Sequence, residues 1–237
     1  MYCSNGMGNT YLIAGGSSGI GFKLSMQLLQ KGHEVIVLSR NRRDLLFGIE
    51  HHSIDFSEEQ INLPVIDKPL NGIVYLPGSI NLKPFKSFSS NDFIKDYRLN
   101  VLGAFETVKA YLPNLVKDGT SSVLFASTVA VGTGMPYHSM VSASKGALEG
   151  FTRSMAAELA PLIRVNALAL SLTDTPLAER FLNTEEKRKA SESRHPMNRV
   201  ADPEDIATWM RMLLGEESKF VTGQILTLDG GMSALRK

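Results

Sequence analysis

The chain has 237 residues, 43% of them hydrophobic, and its 25 Lys and Arg nearly cancel its 24 Asp and Glu to leave a net charge of +1. That length suits one large domain with a buried core, and the balanced charge without a basic stripe excludes nucleic acid and anionic membrane surfaces as expected partners. The single cysteine, Cys3, excludes an intramolecular disulfide framework and reads as an incidental thiol, and the lack of a membrane-length apolar run or a charged-then-apolar leader makes a cytoplasmic location the expectation.

The first predicted strand, Tyr11 to Ala14, runs into Gly15-Gly16-Ser17-Ser18-Gly19-Ile20-Gly21 and then into a helix carrying Leu24, Leu28 and Leu29 at helical spacing. Glycine lets the backbone turn tightly and approach a phosphate, and the adjoining helix N-terminus offers free N–H groups and a favourable dipole. Gly15, Ser17, Ser18, Gly19, Ile20 and Gly21 are therefore candidate nucleotide-binding residues. A second strand, Glu34 to Leu38, is followed by Ser39-Arg40-Asn41-Arg42-Arg43, and the stretch from Arg40 to His52 leaves little room for a full-length helix. Further strands are predicted at Gly72 to Leu76, Ser122 to Ala126, Arg164 to Leu168 and Gln224 to Leu228.

Two helices are well patterned. Between Asp92 and Val116 the residues Phe93, Tyr97, Val101, Phe105, Val108 and Leu112 define one apolar face; between Ser142 and Ala160 Ala143, Ala147, Phe151, Met155 and Leu159 define another. The alternation of strands and helices predicts an α/β fold: a single Rossmann-like, doubly wound parallel sheet with helices on both faces, spanning residues 1–237.

The ordered set of motifs resembles the short-chain dehydrogenase/reductase family from Thr10 to about Gly231. Gly15-x-x-x-Gly19-x-Gly21 resembles its coenzyme fingerprint, Asp55 its adenine-contacting acid, and Asn100 its structural and catalytic asparagine. Ser127-Thr128, Ser142 to Lys145, Arg164-Val165-Asn166-Ala167, Thr175-Pro176-Leu177, Pro203-Glu204-Asp205-Ile206-Ala207, Thr222-Gly223-Gln224 and Asp229-Gly230-Gly231 come after them in the family's order. The resemblance implies hydride transfer between a nicotinamide cofactor and a carbonyl or alcohol. It adds Gly78 and Thr175 to the cofactor site and gives Lys145 the nicotinamide ribose. Arg40, directly after the second strand where an acid would accept bonds from ribose hydroxyls, suits a 2′-phosphate, so NADP(H) is expected over NAD(H). Self-association into a homodimer or homotetramer through the long helices, and a substrate lid at 177–200, are implied in the same way.

The chain departs from the family at the catalytic position. In the family a tyrosine transfers the proton and a lysine four residues on, on the same helix face, lowers its pKa; here Val141 stands four before Lys145 and can neither donate nor accept a proton. Thr128, thirteen before Val141, keeps a hydroxyl at the substrate-binding serine position. Tyr75-Leu76-Pro77-Gly78 and Leu170-Ser171 replace the usual Asn-Asn-Ala-Gly and Pro-Gly, and Ala14 replaces a common threonine.

His138, seven before Lys145 and close to the same helix face, and Tyr137, which could reach from a loop, are candidate proton donors. The enoyl-reductase branch of the superfamily has its tyrosine at that seven-residue spacing, with a different glycine pattern. His51 and His52 read as lacking partners, and no metal site is expected. Two functions stay open: an NADP(H)-dependent oxidoreductase on C=O or CH–OH groups, and an NADP(H)-binding protein without redox chemistry acting as sensor, scaffold or partner subunit.

Overall fold

Strands buried on both faces read as near-continuous apolar runs, and such runs pair in parallel between layers of helices. The computed structural model describes residues 8–236, so Cys3 lies outside the described residues. It contains seven strands, β1 (Thr10–Ala14), β2 (Glu34–Ser39), β3 (Glu50–Ser53), β4 (Gly72–Tyr75), β5 (Ser121–Thr128), β6 (Ile163–Leu170) and β7 (Ile225–Leu228). They form one sheet in the order β3-β2-β1-β4-β5-β6-β7, with every pairing parallel. The α-helices are α1 (Gly19–Gln30), α2 (Ser90–Tyr97), α3 (Gly103–Tyr111), α4 (Ser139–Leu159), α5 (Glu185–Glu192) and α6 (Pro203–Leu214).

The two-residue period of each strand sorts its side chains into two cores. Leu12, Ile36, Ile73, Phe125 and Val165 pack under α3 and α4 with Ala104, Val108, Leu148 and Met155. Ile13, Val37, Val74, Leu124 and Leu168, from the alternate positions, pack under α1 and α6 with Leu24, Leu28, Ile206, Met210 and Leu213. No helix intervenes between β2 and β3, as the short spacing predicted. None of the described helices is long and apolar enough to cross a membrane.

Both predicted helix faces need correction. The Asp92 to Val116 segment is not one regular helix: α2, opened by a capping box between Ser89 and Asp92, passes through a π turn at Arg98–Leu102 into α3. A π turn adds a residue to the repeat and rotates the succeeding turns by roughly 100°. The buried face is consequently Asp96, Asn100, Val101, Ala104, Thr107, Val108 and Tyr111, while Tyr97 and Phe105 are more than 40% exposed. In α4 the buried residues are Met140, Val141, Ser144, Lys145, Leu148, Glu149, Thr152, Met155 and Ala156, with Ala143 exposed. That face borders the cleft and carries polar groups, so its apolar periodicity is weak.

Candidate active site

The strand order reverses between β1 and β4, and a cleft opens there beyond the C-terminal ends of the strands. A cavity of about 1190 Å³ fills it. Every residue proposed from sequence lines this cavity except Asn100: Gly15, Ser17, Ser18, Gly19, Ile20, Gly21, Arg40, Asp55, Gly78, Thr128, Tyr137, His138, Lys145 and Thr175. Among its charged lining groups Arg40, Arg43, Lys145, Arg180, Lys187 and Arg194 face a single acid, Asp55.

At one end the turn between β1 and α1 is built from backbone. Gly19 has φ of 51°, the left-handed region that favours glycine, and a side chain there would press on Thr175, whose Cγ2 lies 3.0 Å from the position of a Cβ. At Gly21 any Cβ would collide with the carbonyl of Gly15. Ser18 caps α1 with an extended backbone and makes no side-chain capping bond, and the first turn holds no acid. The first N–H groups of α1 thus have neither a capping side chain nor a competing carboxylate, the setting in which a helix start holds a phosphate.

Arg40 leaves β2 at the cavity wall, its carbonyl accepting the Ser53 hydroxyl at 2.9 Å. Burial pushes the Asp55 carboxyl up, but hydrogen bonds from the Ser57 hydroxyl (2.6 Å) and amide (2.9 Å), with the charge of Arg40, leave it below its ordinary range. This end fits a dinucleotide: an unblocked helix start for phosphates, a cation after β2, and an acid after β3.

At the other end the site depends on side chains. Lys145 is buried, and desolvation lowers its pKa to about 8, against the opposing field of Asp96. Gly78 brings it together with Asn100: the position of a Cβ on Gly78 lies 3.1 Å from Asn100 Oδ1 and 3.4 Å from Lys145 Nζ. Asn100 sits in the π turn, its Nδ2 donating to the Asp96 carbonyl at 2.9 Å, while its Oδ1 is buried without a hydrogen-bond partner among the described residues. Asn100 therefore reaches the cleft through the lysine pocket.

Asp96 was not anticipated from sequence. It is buried, takes a hydrogen bond from Ser79, which lines the cavity, and keeps its Oδ2 without a hydrogen-bond partner among the described residues. It lies off the apolar face read from the sequence and is turned into the core in the structure, so the sequence carried no signal of it.

Val141, 7% exposed, lies one turn before Lys145 on the cavity wall. Thr128 ends β5, its Oγ1 accepting from the Ala130 amide at 3.3 Å. His138 is the residue preceding α4, and its Nδ1 bonds to the Pro136 carbonyl at 2.7 Å. Tyr137 is exposed and adopts φ of 70°, a strained value for a residue with a side chain. Ser171 and His195, neither of them singled out from sequence for a role in the site, also line the cavity and hydrogen-bond to each other at 3.0 Å.

Residues of the segment 177–200 also line the cavity, and the segment contains α5 and a small apolar cluster of Ala178, Leu182 and Val200. His51 and His52 do have partners: His51 hydrogen-bonds to Ser39 across the parallel pairing of β2 with β3, and His52 to Glu50 on its own strand. No group of three or more potential metal ligands occurs among the described residues.

A seven-stranded parallel sheet with a glycine turn at its switch point and an Asn–Lys pocket beside it defines the class: the chain belongs to the short-chain dehydrogenase/reductase family of oxidoreductases. A family model described as enoyl-(acyl carrier protein) reductase matches residues 14–233. Carbonyl reductase family member 4 of Danio rerio is 34% identical, over 97% of this chain and 100% of the relative. The 3-oxoacyl-(acyl carrier protein) reductase FabG of Thermotoga maritima is 28% identical, over 95% of this chain and 98% of its own length. The crystal structure of a short-chain dehydrogenase family protein from Francisella tularensis superposes with a TM-score of 0.87 at 28% identity, covering 96% of this chain and 100% of that one. Family members bind nicotinamide cofactors, and these reductase relatives favour redox chemistry over a binding protein without it.

Proposed function

We propose that this chain is an NADP(H)-dependent reductase of carbonyl groups, working without a tyrosine at the family's proton-donor position. The observation that carries this reading is the meeting of Lys145, Asn100 and Gly78 in a buried pocket on the same cavity as the glycine turn and Arg40. The names of the two reductase relatives support a C=O substrate. When bound, the nicotinamide would supply the hydride, and the chain's own residues would do the rest.

The N–H groups at the start of α1 and the Gly15-to-Gly21 turn hold the pyrophosphate. Arg40 takes the 2′-phosphate through charge-assisted hydrogen bonds, and Asp55 borders the adenine. Lys145 holds the nicotinamide ribose, Gly78 and Thr175 flank the cofactor, and Thr128 offers its hydroxyl to the substrate oxygen. Val141 leaves the proton to another group, for which Tyr137 and His138 are available on the cavity wall. The segment 177–200 serves as the substrate lid of a single domain. The exposed Tyr97 and Phe105, with Phe105 packed edge-on to Phe151 of α4, support association through α2, α3 and α4.

The test is a fluorescence titration with NADPH and NADH on wild type and Arg40→Ala. NADPH should bind wild type more tightly than NADH, and Arg40→Ala should weaken NADPH by about tenfold while leaving NADH nearly unchanged, the size of one lost charge-assisted bond. Equal affinities in the wild type would overturn the NADP(H) preference.

A further inference from the structure

Ser171 and His195 form a hydrogen-bonded pair that none of the roles above uses. Ser171 comes directly after Leu170, the last residue of β6, which is in register with Thr128 of β5 and accepts the Val129 amide at 3.1 Å. One residue on, the Ala130 carbonyl accepts from the hydroxyl of Ser142, the neighbour of Val141, at 2.9 Å. Ser171 thus follows the strand end that pairs with Thr128, next to the β5–α4 loop that holds α4 at the position lacking the tyrosine.

His195 is 2% exposed, with Nε2 3.0 Å from Ser171 Oγ and Nδ1 2.9 Å from the Ser191 carbonyl. A carbonyl oxygen only accepts, so Nδ1 carries a fixed proton and Nε2 is the atom that exchanges one with the serine. An imidazole oriented by one hydrogen bond and holding a cavity-lining hydroxyl by the other has the geometry for proton transfer.

We propose that Ser171 and His195 are the proton relay of this enzyme. The inference rests on the carbonyl-reductase reading. As hydride reaches the carbonyl carbon, the carbon–oxygen π pair moves to oxygen and takes the Ser171 Oγ proton. Ser171 recovers a proton from His195 Nε2, and the neutral imidazole is reprotonated from solvent. One hydride and one proton are consumed per alcohol formed. Around the pair, Asp229 after β7 acts on His195 electrostatically, and Lys187, Arg194 and Lys145 line the same cavity.

The experiment compares wild type, Ser171→Ala, Ser171→Thr and His195→Gln with NADPH and a panel of aliphatic and aromatic ketones and 3-oxoacyl thioesters, alongside 15N NMR of the cofactor-free protein. Ser171→Ala and His195→Gln should lose about 100-fold in kcat with little change in KM, and Ser171→Thr should retain most of the rate. NMR should place the His195 proton on Nδ1 in the neutral form, with the Nε2 resonance moving in Ser171→Ala.

Wild-type turnover with unaffected kcat in either Ser171→Ala or His195→Gln, or a neutral His195 protonated on Nε2, overturns the relay and leaves the reductase reading standing. A wild type that binds NADPH and turns over none of the panel overturns the reductase reading and the relay together. Should His195→Gln fail to fold, Ser171→Ala decides.

Discussion

The two ends of the cleft are built from different materials. The nucleotide end is made by backbone: a left-handed Gly19, a Gly21 against the Gly15 carbonyl, and a helix start with nothing blocking it. The substrate end is made by side chains drawn from α4, the π turn, the ends of β5 and β6, and the segment 177–200. A backbone site survives only if its glycines do, so it is held to a pattern. A side-chain site can exchange one proton donor for another while the fold stays as it is. In the function proposed for this chain, the first is kept and the second is rebuilt.

The largest effect should come from breaking the backbone end. Gly21→Val forces side-chain atoms into the Gly15 carbonyl and displaces the first turn of α1 from the phosphate position. NADPH affinity should fall by at least about 100-fold, on the scale of two or more lost charge-assisted hydrogen bonds. Titration would check it, and a variant binding within about threefold of wild type, on that same scale, would mean the turn does not carry the cofactor.

How much of this was legible in the sequence divides along the same line. The glycine turn, six of the seven strands and the missing helix between β2 and β3 were legible, because local backbone chemistry and short continuous apolar runs dictate them; β3, Glu50–Ser53, carries no apolar run and was given no bounds from sequence. Strand bounds moved by a residue or two, outwards in β5, predicted at Ser122 to Ala126 and found at Ser121–Thr128, and inwards in β7, predicted at Gln224 to Leu228 and found at Ile225–Leu228. The helix faces were misread: the π turn at Asn100 shifts the phase of the repeat, and α4 buries Ser144, Lys145 and Thr152 against the cleft and sheet. The Ser171–His195 pair was illegible because its members are 24 positions apart and meet only through the path of the chain after β6.

The second prediction probes the electrostatics of the substrate end. Lys145 has a folded pKa of about 8, below the ordinary value of 10.5. A group whose pKa is depressed on folding favours the folded state most when it is deprotonated in both states. Its contribution is therefore present above about 10.5 and is lost as pH falls through about 8. Cofactor-free wild type should gain stability relative to Lys145→Met by on the order of 3 kcal/mol across that window. Paired urea unfolding curves at several pH values would measure it. A constant difference would show that Asp96 offsets the burial of the ammonium, and the substrate end would then be less strained than its geometry indicates.

The smallest effect, and the sharpest on the comparison, concerns Val141. It faces the cavity one helical turn before Lys145, so Val141→Tyr restores a phenol beside an ammonium that can stabilise its phenolate. If the substrate end merely lacked an acid, activity should rise about 100-fold, the lower range of general acid catalysis. With Ser171 and His195 already delivering the proton, the gain in the wild-type background should be only a few-fold. The same substitution placed on Ser171→Ala should then recover most of the lost kcat, because the phenol replaces the relay. Steady-state kinetics of the four proteins form a double-mutant cycle in which the two donors are redundant and their effects strongly non-additive. Additive effects would mean that the serine and residue 141 act on different steps, and the side-chain end would have been rebuilt around the substrate as well as around its proton.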